Sequence, residues 1–178
     1  MPFFCALFLC ACGGAGEFKG TVGGNKLDVN SAMFVELRDS SGNDVNTILV
    51  LSSRSDVCAD VKANRAVAGT NQAVFNLSHH DTDNSPLPPD TGTYDTGTNT
   101  ARRFTVEFEH LDSSCNNTLD ADAAKGTGTV TVRSIVPHAG GHFVGSFTLS
   151  FGPNTEAVTG NFDTSYCDAT FSINPACG

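Results

Sequence analysis

The residues best able to do chemistry gather at His79-His80-Asp81-Thr82-Asp83, where two imidazoles and two carboxylates share one short stretch. Imidazole and carboxylate are zinc ligands, and Asp81-x-Asp83-x-Ser85 has the opening of a calcium loop. A calcium loop also needs a glycine at its sharp turn and a closing glutamate; Pro86 stands at the first place, and the second has no glutamate. Adjacent histidines in an extended strand point to opposite faces, so His79 and His80 are poorly set to hold one ion. The primary expectation is no cofactor and a solvated polar loop. A calcium or zinc site at His79, His80, Asp81 and Asp83, or a carbohydrate-binding module built on the same cluster, is the second reading. His138 and His142 are spaced HxxxH, but Pro137, Gly140 and Gly141 point to a hairpin turn, where that spacing loses its helical meaning. His110 ends a strand carrying Glu107 and Glu109 and shows no partner in sequence.

Catalytic signatures are scarce. Asp90-Thr91-Gly92 and Asp95-Thr96-Gly97 match the Asp-Thr-Gly of aspartic proteases, but two copies in one turn-rich segment cannot supply two halves of a symmetric cleft. The chain has no GxSxG, GxGxxG, P-loop or HExxH. Acid pairs such as Asp120/Asp122 lack the apolar surroundings that would split their pKa values for glycoside hydrolysis. A hydrolase whose site is assembled from distant strands stays as a further alternative, and no catalytic residue is assigned.

The seven cysteines sort by position. Met1 to Ala11 carries no charge and is mostly apolar, too short to span a bilayer but matched to the apolar centre of a secretory signal. The first basic residue is Lys19, so the charged start of a signal is missing and residues 1–11 read as an incomplete leader. Leu9-Cys10-Ala11-Cys12 resembles the lipobox of bacterial lipoproteins, with Cys12 as lipid acceptor because small Ala11 precedes it. Gly13 follows, with no aspartate of the inner-membrane retention type, which by the same resemblance favours the outer membrane. Residues 12–17 then read as a lipidated cysteine and a Gly-rich tether, and 18–178 as one domain. Cleavage before Cys12 leaves Cys58, Cys115, Cys167 and Cys177, widely spaced and without CxxC, as candidates for two disulfides in any of three pairings.

The elements that must position these groups read as strands. Phe104, Val106 and Phe108 alternate with Thr105, Glu107 and Glu109, giving one apolar and one wet face. Val130–Val136, the turn Pro137–Gly141 and His142–Phe151 form the clearest hairpin, and Val158 and Phe162 continue the alternation around Gly160. Ile48-Leu49-Val50-Leu51 is apolar on both faces, as a strand covered on both sides would be. Ser55–Ala68 has near-helical spacing, with Ser55 or Asp56 as N-cap and Gly69 as stop, and carries Cys58. Ser78–Ala101 reads as one long functional connection. With 13 Phe against two Tyr, phenylalanine must supply the aromatic core. The expected fold is all-β: an antiparallel β-sandwich or partly closed barrel with one short helix.

Charge excludes one class of partner. Ten Lys+Arg stand under 19 Asp+Glu, net −9, with no basic block to follow a phosphate backbone, so no nucleic acid is expected. Phe18-Lys19-Gly20-Thr21-Val22-Gly23-Gly24, Cys58 with Ala63-Asn64, Gly92-Thr93-Tyr94, Asp112 with Cys115, Gly145-Ser146-Phe147, Val158-Thr159-Gly160 and Cys167-Asp168 occur in an order that resembles lipoproteins of Gram-negative, particularly myxobacterial, genomes. That resemblance implies an exported, lipid-anchored β domain and no assigned activity. The expected partners are the membrane, through the anchor, and an unknown protein or glycan that meets the Ser78–Ala101 connection.

Overall fold

A computed structural model describes residues 15–38, 41–97, 101–171 and 175–178. The expected leader over 1–11 and the lipid acceptor Cys12 lie outside the described residues. The strands are β1 (Ala15–Lys19), the short hairpin β2 (Thr21–Val22) and β3 (Asn25–Lys26), β4 (Ser31–Arg38), β5 (Asp44–Ser52), β6 (Arg65–Ala66) and β7 (Asn71–His80). They continue with β8 (Pro86–Leu87), β9 (Gly92–Asp95), β10 (Arg102–His110), β11 (Lys125–Ile135), β12 (His142–Phe151), β13 (Glu156–Tyr166) and β14 (Ala176–Cys177). Two short helices, α1 (Val57–Lys62) and α2 (Ala121–Ala124), join them. One helix was expected; the second is a single turn.

Eight strands close into a barrel in the order β13-β12-β11-β9-β10-β7-β5-β4, and β4 returns to β13. The closing pair is parallel and short, Ser165 with Met33 and Tyr166 with Phe34. Along the rest of that edge β13 pairs with β1, from Ala15 with Asp163 to Lys19 with Thr159. A similar device fills a second fork. β10 and β11 pair directly at Val106–Gly126 and Glu107–Lys125, and where they diverge β9 pairs with both.

Alternation decides which side chains point inward. Phe75, Phe104, Phe108, Phe143, Phe147, Phe151 and Phe162 are buried with Phe18, Phe34 and Tyr94 in one core. Their rings meet at tilted angles, as with Phe143 and Phe162 at 4.8 Å and Phe75 and Phe147 at 5.2 Å between centroids. Eight strands enclose just enough room for such side chains, so the interior is a packed core rather than a chamber. Outward positions on β10 and β11 include Thr105, Glu107, Lys125, Thr127 and Arg133. That is the reverse of a membrane-spanning barrel, which turns an apolar band outward.

The both-faces-apolar strand is explained by a second core outside the barrel. Leu49 and Leu51 point inward, whereas Ile48 and Val50 pack with Met33, Val35, Val57 and Cys167 on the outer wall. α1 supplies the cover. Its N-cap Asp56 accepts a hydrogen bond from the Ala59 N–H at 3.0 Å, and Val57 and Val61 face the wall. The helix stops earlier than expected. Asn64 takes a left-handed φ of 50° after Lys62, and Gly69 makes a later turn leading into β7.

Two expectations about boundaries need correction. Residues 15–17, read as tether, belong to β1, because Phe18 plugs the core between Phe108, Phe147 and Phe151 and brings its neighbours into register with β13. The Ser78–Ala101 connection is not one loop. β7 continues to His80, β8 pairs back onto it, and β9 is a barrel strand with Tyr94 fully buried.

Candidate functional site

On the outer wall of the barrel lies a groove of about 980 Å³, within the size range of small-ligand sites. Its floor is the wet face of β7 and β10. Antiparallel register sets Gln72 beside Glu109, Val74 beside Glu107 and Asn76 beside Thr105. Lys125 and Thr127 of β11 extend it on one side. The opposite wall is α1 with β6 and the C-terminal segment, where Val61 and Phe171 carry the second core into the groove.

Two disulfides hold that wall in place. Cys58 of α1 is bonded to Cys167, just beyond β13. Cys115, in the turn after β10, is bonded to Cys177 of β14, which runs parallel to β6. These are the four cysteines expected to pair, and the structure selects one of three pairings. Asp60, 5% exposed, locks the base of the wall by accepting from Arg54 Nε at 3.1 Å and from Arg65 Nη2.

The groove contains polar groups whose needs are unmet. Thr70, only 3% exposed, lines it, and its Oγ1 has no hydrogen-bond partner among the described residues; the same holds for Asn76 Oδ1. Buried polar atoms are nearly always paired, so these two are exceptions, and both are covered by their neighbours rather than open to the groove. Glu109 accepts from Gln72 Nε2, and burial followed by the charge of Glu107 pushes its carboxyl above the usual range, against the opposing pull of the Gln72 hydrogen bond. Three acidic side chains (Asp60, Glu107, Glu109) face three basic ones (Arg54, Arg65, Lys125), so the groove is electrically balanced.

The metal cluster of the second reading is not assembled among the described residues. His79 Nδ1 lies 3.2 Å from the Pro88 carbonyl oxygen and 3.5 Å from Asp90, while His80 Nδ1 is 3.3 Å from the Asn84 carbonyl oxygen. Asp81 Oδ1 accepts the N–H groups of Asp83 and Ser85, both at 2.9 Å, which commits it to the turn. Among the described residues no three His, Cys, Asp or Glu side chains are grouped to hold a metal ion. His110 does have a partner, Asn71 Oδ1, and the exposed His142 meets Asp163 at 2.9 Å. Asp90, from the first Asp-Thr-Gly, serves structure. Arg102 donates to it through Nε at 2.7 Å and holds its carboxyl below the usual range, and the Tyr94 hydroxyl donates to its backbone oxygen at 3.0 Å. Burial pushes the Tyr94 hydroxyl up to about 12, so it stays a hydrogen-bond donor.

The chain matches no family model, no curated protein and no solved structure. Sequence patterning marks half of the groove's floor, the wet face Thr105-Glu107-Glu109, without showing what stands opposite. The missing signal was the alternation of Ala73, Phe75 and Leu77 with Gln72, Val74 and Asn76, which makes 71–80 a strand with a second wet face.

Proposed function

We propose that this chain is an exported envelope protein, anchored through a lipid on Cys12, whose barrel is a non-catalytic binding domain that presents the outer-wall groove to its partner. The observation that carries the reading is the groove's construction. The barrel interior is filled, and the segments that disulfides clamp outside it do not add a further strand to the barrel; they wall a groove whose floor carries the amides of Gln72 and Asn76 and the carboxyls of Glu107 and Glu109. Disulfides are kept in oxidising compartments, which supports export. The apolar leader and the Ala11-Cys12-Gly13 sequence support acylation, and more than one acyl chain gives stable membrane attachment. The lipoprotein resemblance favours the same address and names no ligand.

Fractionation of a Gram-negative host expressing the chain, with a basic start added before Met1 to complete its leader, tests the anchor. Wild type is expected in the membrane fraction and Cys12→Ser in the soluble fraction. Equal partitioning of the two would reject lipidation at Cys12.

A further inference from the structure

The chemistry of the groove narrows what it can hold. An anionic ligand needs free cations, but Arg54 and Arg65 are both engaged by buried Asp60, leaving Lys125 opposite Glu107 across the β10–β11 pair. A cationic ligand would meet Glu107 and Glu109, but Glu107 lies opposite Lys125, Glu109 already accepts from Gln72, and Arg54 and Arg65 line the same groove. An extended peptide usually docks by adding a strand to an open sheet edge, and the floor has none, because β7 is flanked by β5 and β10 and β10 by β7 and β11. What remains is a set of short-range donors and acceptors: the Gln72 amide beside the Glu109 carboxyl, the amide of Asn76 and the hydroxyl of Thr105. Apolar Val61, Val74 and Phe171 lie next to them. A sugar ring presents this same combination, with hydroxyls at its rim and C–H groups on its faces.

Resting on the reading of the groove as a binding site, we infer that it takes a neutral oligosaccharide, seated on β7 and β10, whose hydroxyls partner the side chains of Gln72, Asn76, Thr105 and Glu109. Charge balance excludes selection by net charge, so specificity comes from directional hydrogen bonds to neutral hydroxyls, which only a well-positioned amide and carboxyl set can read.

The experiment is an amide NMR titration of the purified full-length protein in a sugar-free detergent. The neutral probes are chitotetraose, cellotetraose and maltotetraose; tetragalacturonate and glucosamine tetramer are the anionic and cationic probes. At least one neutral probe is expected to give saturable shifts confined to β7, β10 and α1. Gln72→Ala should weaken it about tenfold, the loss of one or two hydrogen bonds. Thr105→Trp, which fills the groove from an exposed position, should abolish it. Thr148→Trp, on the exposed face of β12, controls for an added indole and should leave binding unchanged. Preferential binding of a charged probe at the same amides would overturn the ligand class while leaving the groove a binding site. Shifts with no probe, or binding that survives Thr105→Trp, would overturn the inference and the site together.

Discussion

The carboxyl of Glu109 stands on the outer wall with Gln72 across the strand pair and Glu107 on the same face of its own strand. Burial makes its charged form costly, and a raised folded-state pKa has a definite sign in the stability balance. Between the unfolded and folded pKa values the native state binds more protons, so this group favours folding in acid and loses that contribution as pH rises. Replacing the carboxyl by an amide of the same shape removes the cost. Glu109→Gln is therefore expected to raise Tm at about pH 7, with the advantage shrinking to nothing as pH falls below the ordinary glutamate range. Thermal unfolding of both proteins across that range checks this, and a uniform gain or loss at every pH would contradict it. Asp90 has the opposite environment. Its carboxylate is held ionised by Arg102, and that interaction is weakened when acid protonates it.

At the scale of elements, the sequence showed what periodicity can show. The 130–151 hairpin, the doubly covered strand at 48–51 and the helix carrying Cys58 all announce themselves through several apolar side chains at regular spacing. β9 has four residues with one buried side chain, Tyr94, set among turn-forming residues, so no period exists to detect. β1 fails for the same reason, since Phe18 is the one large apolar residue in Ala15–Lys19. Both are short strands that fill forks in the barrel, and their place is fixed by tertiary contact rather than local preference. The groove was half legible because its floor combines two distant segments, and its far wall depends on disulfide pairings that spacing left open. The β1–β13 contact makes its own demand. A Cβ at Gly160 would stand 2.0 Å from the Glu17 carbonyl oxygen and 2.3 Å from the Phe147 ring. Gly160→Ala must push β1 or Phe147 aside, and such overpacking costs about 1–3 kcal/mol. Urea unfolding would register this loss, and a change within experimental error would mean that β1 does not lie against Gly160.

For the whole molecule, two cores share one wall. The phenylalanine core belongs to the barrel, while the outer core depends on α1 and the segment after β13 staying against β4 and β5. The Cys58–Cys167 bond joins residues 109 positions apart, so it restricts most of the unfolded chain while holding the outer core shut. Replacing both cysteines by serine is expected to lower unfolding free energy by roughly 2–5 kcal/mol. Denaturant unfolding with far-ultraviolet dichroism would show that loss with strand content kept before the transition; unchanged stability would assign the bond no structural weight. The position of β1 has a mechanical consequence. The strand enters at the end of the barrel that also holds the 137–141 turn, whereas the groove sits toward the other end, near β11's start and the turn after β12. Tension between the chain's N-terminal side and a ligand gripped in the groove would run roughly along the strands. The hydrogen bonds of β1 to β13 would then bear the load side by side, in shear, and would not peel one after another. That geometry would suit the anchored binding domain proposed above, which would have to hold on while its ligand is pulled away.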